Sequence, residues 1–127
     1  MENSILVIDD NPDIRENTAE ILELAGYKTF MAENGKKGLE LARLEKPSLI
    51  LCDIMMPEMD GYVLLHLVRE NPQTENIPFI FLSAKSGQSS IHQGNEKDAD
   101  GYISKPYEEK ELLHAVDSGL KKALRAS

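Results

Sequence analysis

The sequence predicts an α/β fold, a doubly wound five-stranded parallel sheet with helices on both of its faces. Five short apolar segments that favour strands alternate along the chain with segments of helical periodicity. Residues 49–52 are apolar without a break, which is typical of a strand buried on both faces of a parallel sheet. The alternation of strands and helices favours parallel pairing through right-handed crossovers, and therefore three layers.

The strands and the first two helices have recognisable limits. The first helix is expected to begin at Pro12, behind the N-cap Asn11, and to end at Gly26. The second is expected to begin behind the N-cap Asn34 and to end before Pro47. The five strands are predicted at residues 4–9, 27–32, 48–53, 77–83 and 101–104.

Two later helices have apolar stripes. The third is expected to begin near Asp60, to end by Pro72, and to bury Val63, Leu64, Leu67 and Val68. The last covers residues 108–124, with acidic residues in its first turn and basic residues near its end, as the helix dipole favours. Its stripe consists of Leu112, Leu113, Val116, Leu120 and Leu124.

The segment between the fourth and fifth strands should supply the fourth of five helices, but its pattern is poor. Residues 87–98 contain Gly87 and Gly94, and Ile91 is their one sizeable apolar side chain. A helix without an apolar stripe has little surface with which to pack on a sheet. We therefore expect helix four to be short, displaced or mobile.

Composition limits the possible classes of protein. The length fits one domain, residues 1–127, with no linker or effector domain. The net charge of −8 argues against direct binding of nucleic acid, and the single cysteine, Cys52, excludes an internal disulfide or a cysteine-rich zinc site. No signal peptide is recognisable and no apolar run approaches the roughly 18 residues of a membrane span, so a cytoplasmic protein without membrane contact is expected.

Polar side chains stand where four of the predicted strands end. They are Asp9 and Asp10 after the first strand, Asp53 after the third, Ser83 after the fourth and Lys105 after the fifth. Because parallel strands end at one edge of the sheet, these groups should converge there. Three carboxylates repel one another, and oxygen ligands of this kind suit Mg²⁺. A metal ion, a lysine and a hydroxyl around a carboxylate are what phosphoryl transfer to that carboxylate requires.

The chain resembles the receiver domain of two-component response regulators in four segments, VIDDNPD, LILCDIMMPEMDG, FIFLSAK and DADGYISKPY. The likeness extends over essentially the whole chain. It implies a flavodoxin-like sheet with strand order 2-1-3-4-5. It also implies that Asp53 is the phosphoacceptor, that Asp9 and Asp10 hold Mg²⁺ with Asp53, and that the backbone carbonyl of Met55 is a further metal ligand.

The resemblance assigns further roles in catalysis and switching. Lys105 would pair with the phosphoryl group and precede a cis peptide bond to Pro106. Ser83 would be the switch hydroxyl, and Tyr102 the aromatic residue that follows it inward. The phosphodonor would be a sensor histidine kinase or a phosphotransfer protein, and the output a conformational change that controls a partner or effector domain. Such a protein catalyses only its own phosphorylation and dephosphorylation.

Four alternatives compete with this interpretation. A flavin site needs a hydroxyl-rich or glycine-rich phosphate loop where this chain has DDNPD, and a calcium loop fails because Tyr107 stands at its twelfth position. An aspartyl-phosphate hydrolase needs a second aspartate where Met55 stands. A receiver-like interaction module that works without phosphorylation remains open. Each polar residue also has an ordinary explanation as a turn or cap residue.

Overall fold

A computed structural model describes residues 3–84 and 99–126 of the chain. Its sheet contains five parallel strands in the order β2-β1-β3-β4-β5, so the predicted fold class and strand order are confirmed. The strands are β1 (Ser4–Ile8), β2 (Lys28–Ala32), β3 (Leu49–Asp53), β4 (Phe79–Ala84) and β5 (Gly101–Lys105).

Four helices lie in the described part of the chain, and three begin at the predicted caps. They are α1 (Pro12–Leu24), α2 (Gly35–Glu45), α3 (Gly61–Glu70) and α4 (Glu109–Ala126). The side chains of Asn11, Asn34 and Asp60 accept hydrogen bonds from backbone N–H groups in the first turns of α1, α2 and α3. The element α4 is the last predicted helix, whereas the helix expected within residues 87–98 lies outside the described residues.

Alternation along the strands divides the core into two layers of different chemistry. One face packs aliphatic strand residues against α1 and α4, with Leu22 and Leu112 fully buried. The other face is richer in aromatic rings and packs against α2 and α3, where Phe79 and Phe81 are fully buried. We call these the aliphatic face and the aromatic face.

Two apolar residues expected in helix stripes are exposed instead. Val63 is 47% exposed because the buried side of α3 is formed by Tyr62, Leu64, Leu65 and Val68, and Val63 points away from it. Leu124 is 76% exposed in the last turn of α4, one turn beyond Leu120, which still packs on the aliphatic face. No helix among the described residues is long and apolar enough to cross a membrane.

Candidate functional site

The ends of β1, β3 and β5 bring three predicted site residues to one edge of the sheet. Side-chain alternation places Asp53 on the aliphatic face after Leu51, and Lys105 on the same face after Ile103. Asp9 directly follows β1 and is fully buried, while Asp53 is 6% exposed. The apolar strands therefore hold two carboxylates at the carboxyl edge, in surroundings that shield them from water.

The ammonium of Lys105 lies between these two carboxylates. Its Nζ is 2.9 Å from Oδ2 of Asp9 and 3.3 Å from Oδ1 of Asp53. Asp10 completes the group from the surface, and the carboxylate oxygens of Asp9, Asp10 and Asp53 all lie within 4.8 Å of one another. Lys105 thus pairs with two of three neighbouring carboxylates, and the group of four residues carries an excess of negative charge in a largely buried place.

The pKa values of the paired groups follow from this arrangement. Burial, together with the negative charges of Asp9 and Asp10, raises the pKa of Asp53 to about 6, although Lys105 opposes the shift. Burial tends to lower the pKa of Lys105, but its hydrogen bond to Asp9 and the charge of Asp53 outweigh that effect and raise it. Lys105 therefore stays protonated at neutral pH, and Asp53 is mainly ionised there.

Asp9 is fixed by Asn11, at the N-cap of α1, and by Arg15 within α1, and the pattern of strand ends predicts neither contact. The backbone N–H of Asn11 donates to Oδ1 of Asp9 at 2.9 Å, and Arg15 donates from Nη1 to the Asp9 carbonyl at 2.7 Å. The local pattern gave no signal for Arg15, because its contact depends on how α1 returns over the strand end. On the other side of the site, the Lys105–Pro106 peptide bond is cis, as the resemblance implied.

Of the remaining predicted residues, Ser83 and Tyr102 lie by alternation on the face of the sheet opposite to that of Asp53 and Lys105, and Met55 lies in the loop after β3. Ser83 is half-buried, follows Leu82 (the register partner of Asp53), and lies on the aromatic face by alternation. Tyr102 comes three residues before Lys105 on β5, and its hydroxyl is 3.1 Å from that of Tyr62. The side chain of Met55 is exposed in the loop after β3. The structure thus brings Lys105 and the three carboxylates together, but not Tyr102.

The donor set fits a magnesium ion. Its ligands would be carboxylate oxygens, which a hard divalent cation prefers, and the raised pKa of Asp53 marks charge that such a cation would neutralise. Two of the three carboxylates are buried and the third is exposed, so the group is open to solvent on one side. Mg²⁺ commonly keeps several waters, and a half-open group of this kind leaves room for them.

Comparison with known proteins gives a consistent result. The family model described as "Response regulator receiver domain" matches residues 5–117. A crystal structure of a putative response regulator from Chloroflexus aurantiacus superposes with a TM-score of 0.88 at 31% identity, covering 95% of this chain and 99% of that one. Protein PilH of Pseudomonas aeruginosa is 34% identical over 91% of this chain and 96% of its own length.

Other similar proteins are longer. The DNA-binding dual master transcriptional regulator RpaA of Synechocystis is 36% identical over 95% of this chain, but only 50% of its own length is covered. The chain spans about half the length of several curated relatives that it matches. The likeness therefore concerns one domain of those proteins and leaves the remainder of each without a counterpart in these 127 residues.

Proposed function

Because this chain belongs to the response regulator receiver domain family, we propose that Asp53 accepts a phosphoryl group in a Mg²⁺-dependent reaction. The donor would be a sensor histidine kinase or a phosphotransfer protein. The observation that carries the proposal is the group of three carboxylates, with oxygens within 4.8 Å of one another, two of which pair with the ammonium of Lys105. A group with this excess of charge suits a divalent cation and an incoming phosphoryl group better than it suits a purely structural role.

Each residue of the group has a separate task in the proposed transfer. An oxygen of Asp53 attacks phosphorus, and the bond from phosphorus to the donor's leaving group breaks. Lys105 stays protonated and offsets the negative charge that the phosphoryl oxygens bring. Asp9 and Asp10, with Asp53 and the backbone carbonyl of Met55, would hold Mg²⁺, whose charge would neutralise the same oxygens. Asn11 and Arg15 keep Asp9 in place.

We expect the conformational response to phosphorylation to take place on the aromatic face. Ser83 would turn its hydroxyl toward the phosphoryl group, and Tyr102 would hold an inward position as a consequence. The resulting shift in population would control a partner or effector domain. The protein would not act on external substrates. Its cytoplasmic location and the absence of direct nucleic-acid and membrane contact stay predictions from the sequence.

Intact mass after incubation with Mg²⁺ and a small-molecule phosphodonor such as phosphoramidate tests the proposal. The unchanged protein should gain one phosphate-sized mass, and Asp53→Ala should gain none. Asp117→Ala, which removes an exposed carboxylate on α4, is the matched control and should be phosphorylated like the unchanged protein. A gain that persists in Asp53→Ala overturns the assignment. A protein that no donor modifies would favour the phosphorylation-independent interaction module.

A further inference from the structure

The hydroxyl of Tyr102 has a specific partner on a different element. Its oxygen is 3.1 Å from the hydroxyl oxygen of Tyr62, which lies in the first turn of α3. The ring of Phe81 contacts both, with centroid distances of 4.7 Å to Tyr62 and 5.4 Å to Tyr102. Tyr102 is thus held on the aromatic face by a ring contact and by a hydrogen bond, and neither involves Ser83.

Tyr62 is itself fixed to the end of the strand that carries Asp53. It is 8% exposed, and it follows Gly61, whose backbone N–H donates to the Ile54 carbonyl at 2.8 Å. A Cβ on Gly61 would lie 2.6 Å from the Asp53 carbonyl oxygen, so only glycine permits this close approach of α3 to β3. The position of the Tyr62 hydroxyl is therefore set by the backbone that immediately follows the proposed phosphoacceptor.

We propose that Tyr62 is a positioning residue that holds Tyr102 inward through the bond between their hydroxyls, and so connects Tyr102 to the end of β3. This inference rests on the proposed switching role of Tyr102. Besides the proposed connection through Ser83, it adds a second connection from Asp53 to Tyr102, through Tyr62, that is present before phosphorylation. The chain would then be biased toward the inward position of Tyr102 in its unphosphorylated state.

The expected size of the effect follows from the strength of one partly buried hydrogen bond. Such a bond contributes about 1 kcal/mol, which corresponds to about a fivefold change in an equilibrium ratio. Removing the Tyr62 hydroxyl while keeping its ring should therefore lower the ratio of inward to outward Tyr102 about fivefold. By reciprocity, phosphorylation should become less favourable by up to the same factor.

Fluorine NMR of the protein labelled with 3-fluorotyrosine measures the position of Tyr102 directly. The Tyr102 resonance is assigned by its loss in Tyr102→Phe. In Tyr62→Phe without phosphodonor, the Tyr102 resonance should move toward the chemical shift of solvent-exposed fluorotyrosine. The difference in its chemical shift between H₂O and D₂O should increase, because the ring is more exposed to solvent. Tyr27→Phe, which removes a hydroxyl on the aliphatic face, is the control and should leave the resonance unchanged. An unchanged Tyr102 resonance in Tyr62→Phe overturns the proposal.

A double-mutant cycle gives a second, label-free test. The effect of Tyr62→Phe on the urea unfolding midpoint should be smaller when residue 102 is already phenylalanine, because the shared bond is then absent. Additive effects of the two substitutions would contradict a direct coupling. Intact mass keeps the two hypotheses apart, because the parent protein should gain a phosphate on Asp53 even if the proposed role of Tyr62 is wrong. An unmodified parent protein would refute the phosphorylation itself, whatever the NMR shows.

Discussion

Two clusters of charged residues lie at opposite edges of the same sheet, and they are built differently. The carboxyl-edge cluster consists of Asp9, Asp10, Asp53 and Lys105, so it has three carboxylates and one ammonium, which pairs with Asp9 and Asp53. The amino-edge cluster consists of Arg69, Asp100 and Lys122, so one carboxylate faces two cations. Negative charge is in excess at the first edge and fully compensated at the second.

The amino-edge cluster ties the start of β5 to its neighbours. One oxygen of Asp100 accepts from the backbone N–H of Phe79 at 2.8 Å and from Arg69 at 3.1 Å. Arg69 also donates to the carbonyls of Glu75 and Ile77, at 3.1 Å and 2.7 Å. Within the described residues, the carboxylate of Asp100 therefore has cationic and backbone partners, and no negative charge is left in excess. The difference indicates that an excess of buried negative charge, rather than charge as such, distinguishes the proposed functional edge.

The largest expected effect comes from removing the ammonium of the carboxyl-edge cluster. Lys105→Met should lower the free energy of unfolding at pH 7.5 by about 3 kcal/mol, because the carboxylates of Asp9 and Asp53 are then buried without a cation. Mg²⁺ should stabilise this variant more than it stabilises the unchanged protein, since the ion replaces the missing positive charge. Urea unfolding at pH 7.5, with and without Mg²⁺, measures both effects.

Lys121→Met is the matched control for that substitution. Lys121 is exposed and pairs with Asp117 at 3.1 Å on the surface of α4. An exposed pair of this kind contributes less than about 1 kcal/mol, so the loss should be small and independent of Mg²⁺. If both substitutions lower the free energy of unfolding equally, then the ammonium of Lys105 contributes no more to stability than that of an exposed surface lysine.

Replacing Asp53 should have the opposite effect and raise the free energy of unfolding. An aspartate carboxyl ordinarily has a pKa near 4, and that of Asp53 is about 6 in the folded, metal-free protein. The folded state therefore holds a proton that the unfolded state releases, so the stability contributed by this group is full below about pH 4 and is lost as pH rises through 6. Asp53→Asn should remove this loss and stabilise the metal-free protein at pH 7.5 by about 2–3 kcal/mol.

The measurement is the difference in unfolding free energy between the two proteins at pH 4.5, 6 and 7.5 without metal. That difference should grow with pH, because only the parent carries the buried carboxylate. Mg²⁺ should then reduce it, since the ion stabilises the parent at neutral pH. A constant difference across this range would show that Asp53 is not held at a raised pKa.

The amino edge should respond differently to a similar change. Arg69→Met removes the hydrogen bonds to Glu75, Ile77 and Asp100 and leaves Asp100 less well compensated, so we expect the free energy of unfolding to fall by about 2 kcal/mol. The loss should be the same with and without Mg²⁺. Arg43→Met, at an exposed position in the last turn of α2, should change stability by less than about 0.5 kcal/mol. If the loss of stability in Arg69→Met depended on Mg²⁺, then a response to Mg²⁺ would no longer distinguish the carboxyl edge from the amino edge.

The two clusters also differ in how far the sequence predicts them. Asp9, Asp53 and Lys105 were identified because each ends a strand, and parallel strands end together. The amino-edge cluster could not be predicted in this way, because the contact of Arg69 with Asp100 depends on the path of residues 71–78 between α3 and β4. Patterns along the chain give the direction of a strand, but not the packing of a connecting segment.

Contacts between helices and the sheet show the same limit. Helical periodicity indicated the limits of α3, yet Val63 was wrongly expected to be buried, since the buried side of the helix depends on its orientation over the sheet. The bond between Tyr62 and Tyr102 joins residues 40 positions apart, and no local pattern predicts it. The glycine at position 61, which sets that orientation, was seen in the sequence only as a helix start.

The smallest expected effect concerns Lys122 and tests whether Asp100 is already satisfied. Lys122 Nζ is 3.6 Å from Oδ1 of Asp100, and its side chain is 60% exposed, so Lys122→Met alone should cost less than about 0.5 kcal/mol. When Arg69 is already methionine, Lys122 becomes the one cation still paired with Asp100 in the described part of the chain. Removing it should then cost more, about 1 kcal/mol, as a double-mutant cycle by urea unfolding would measure. Additive losses would mean that the two cations act on Asp100 independently, and that compensation at the amino edge is not shared.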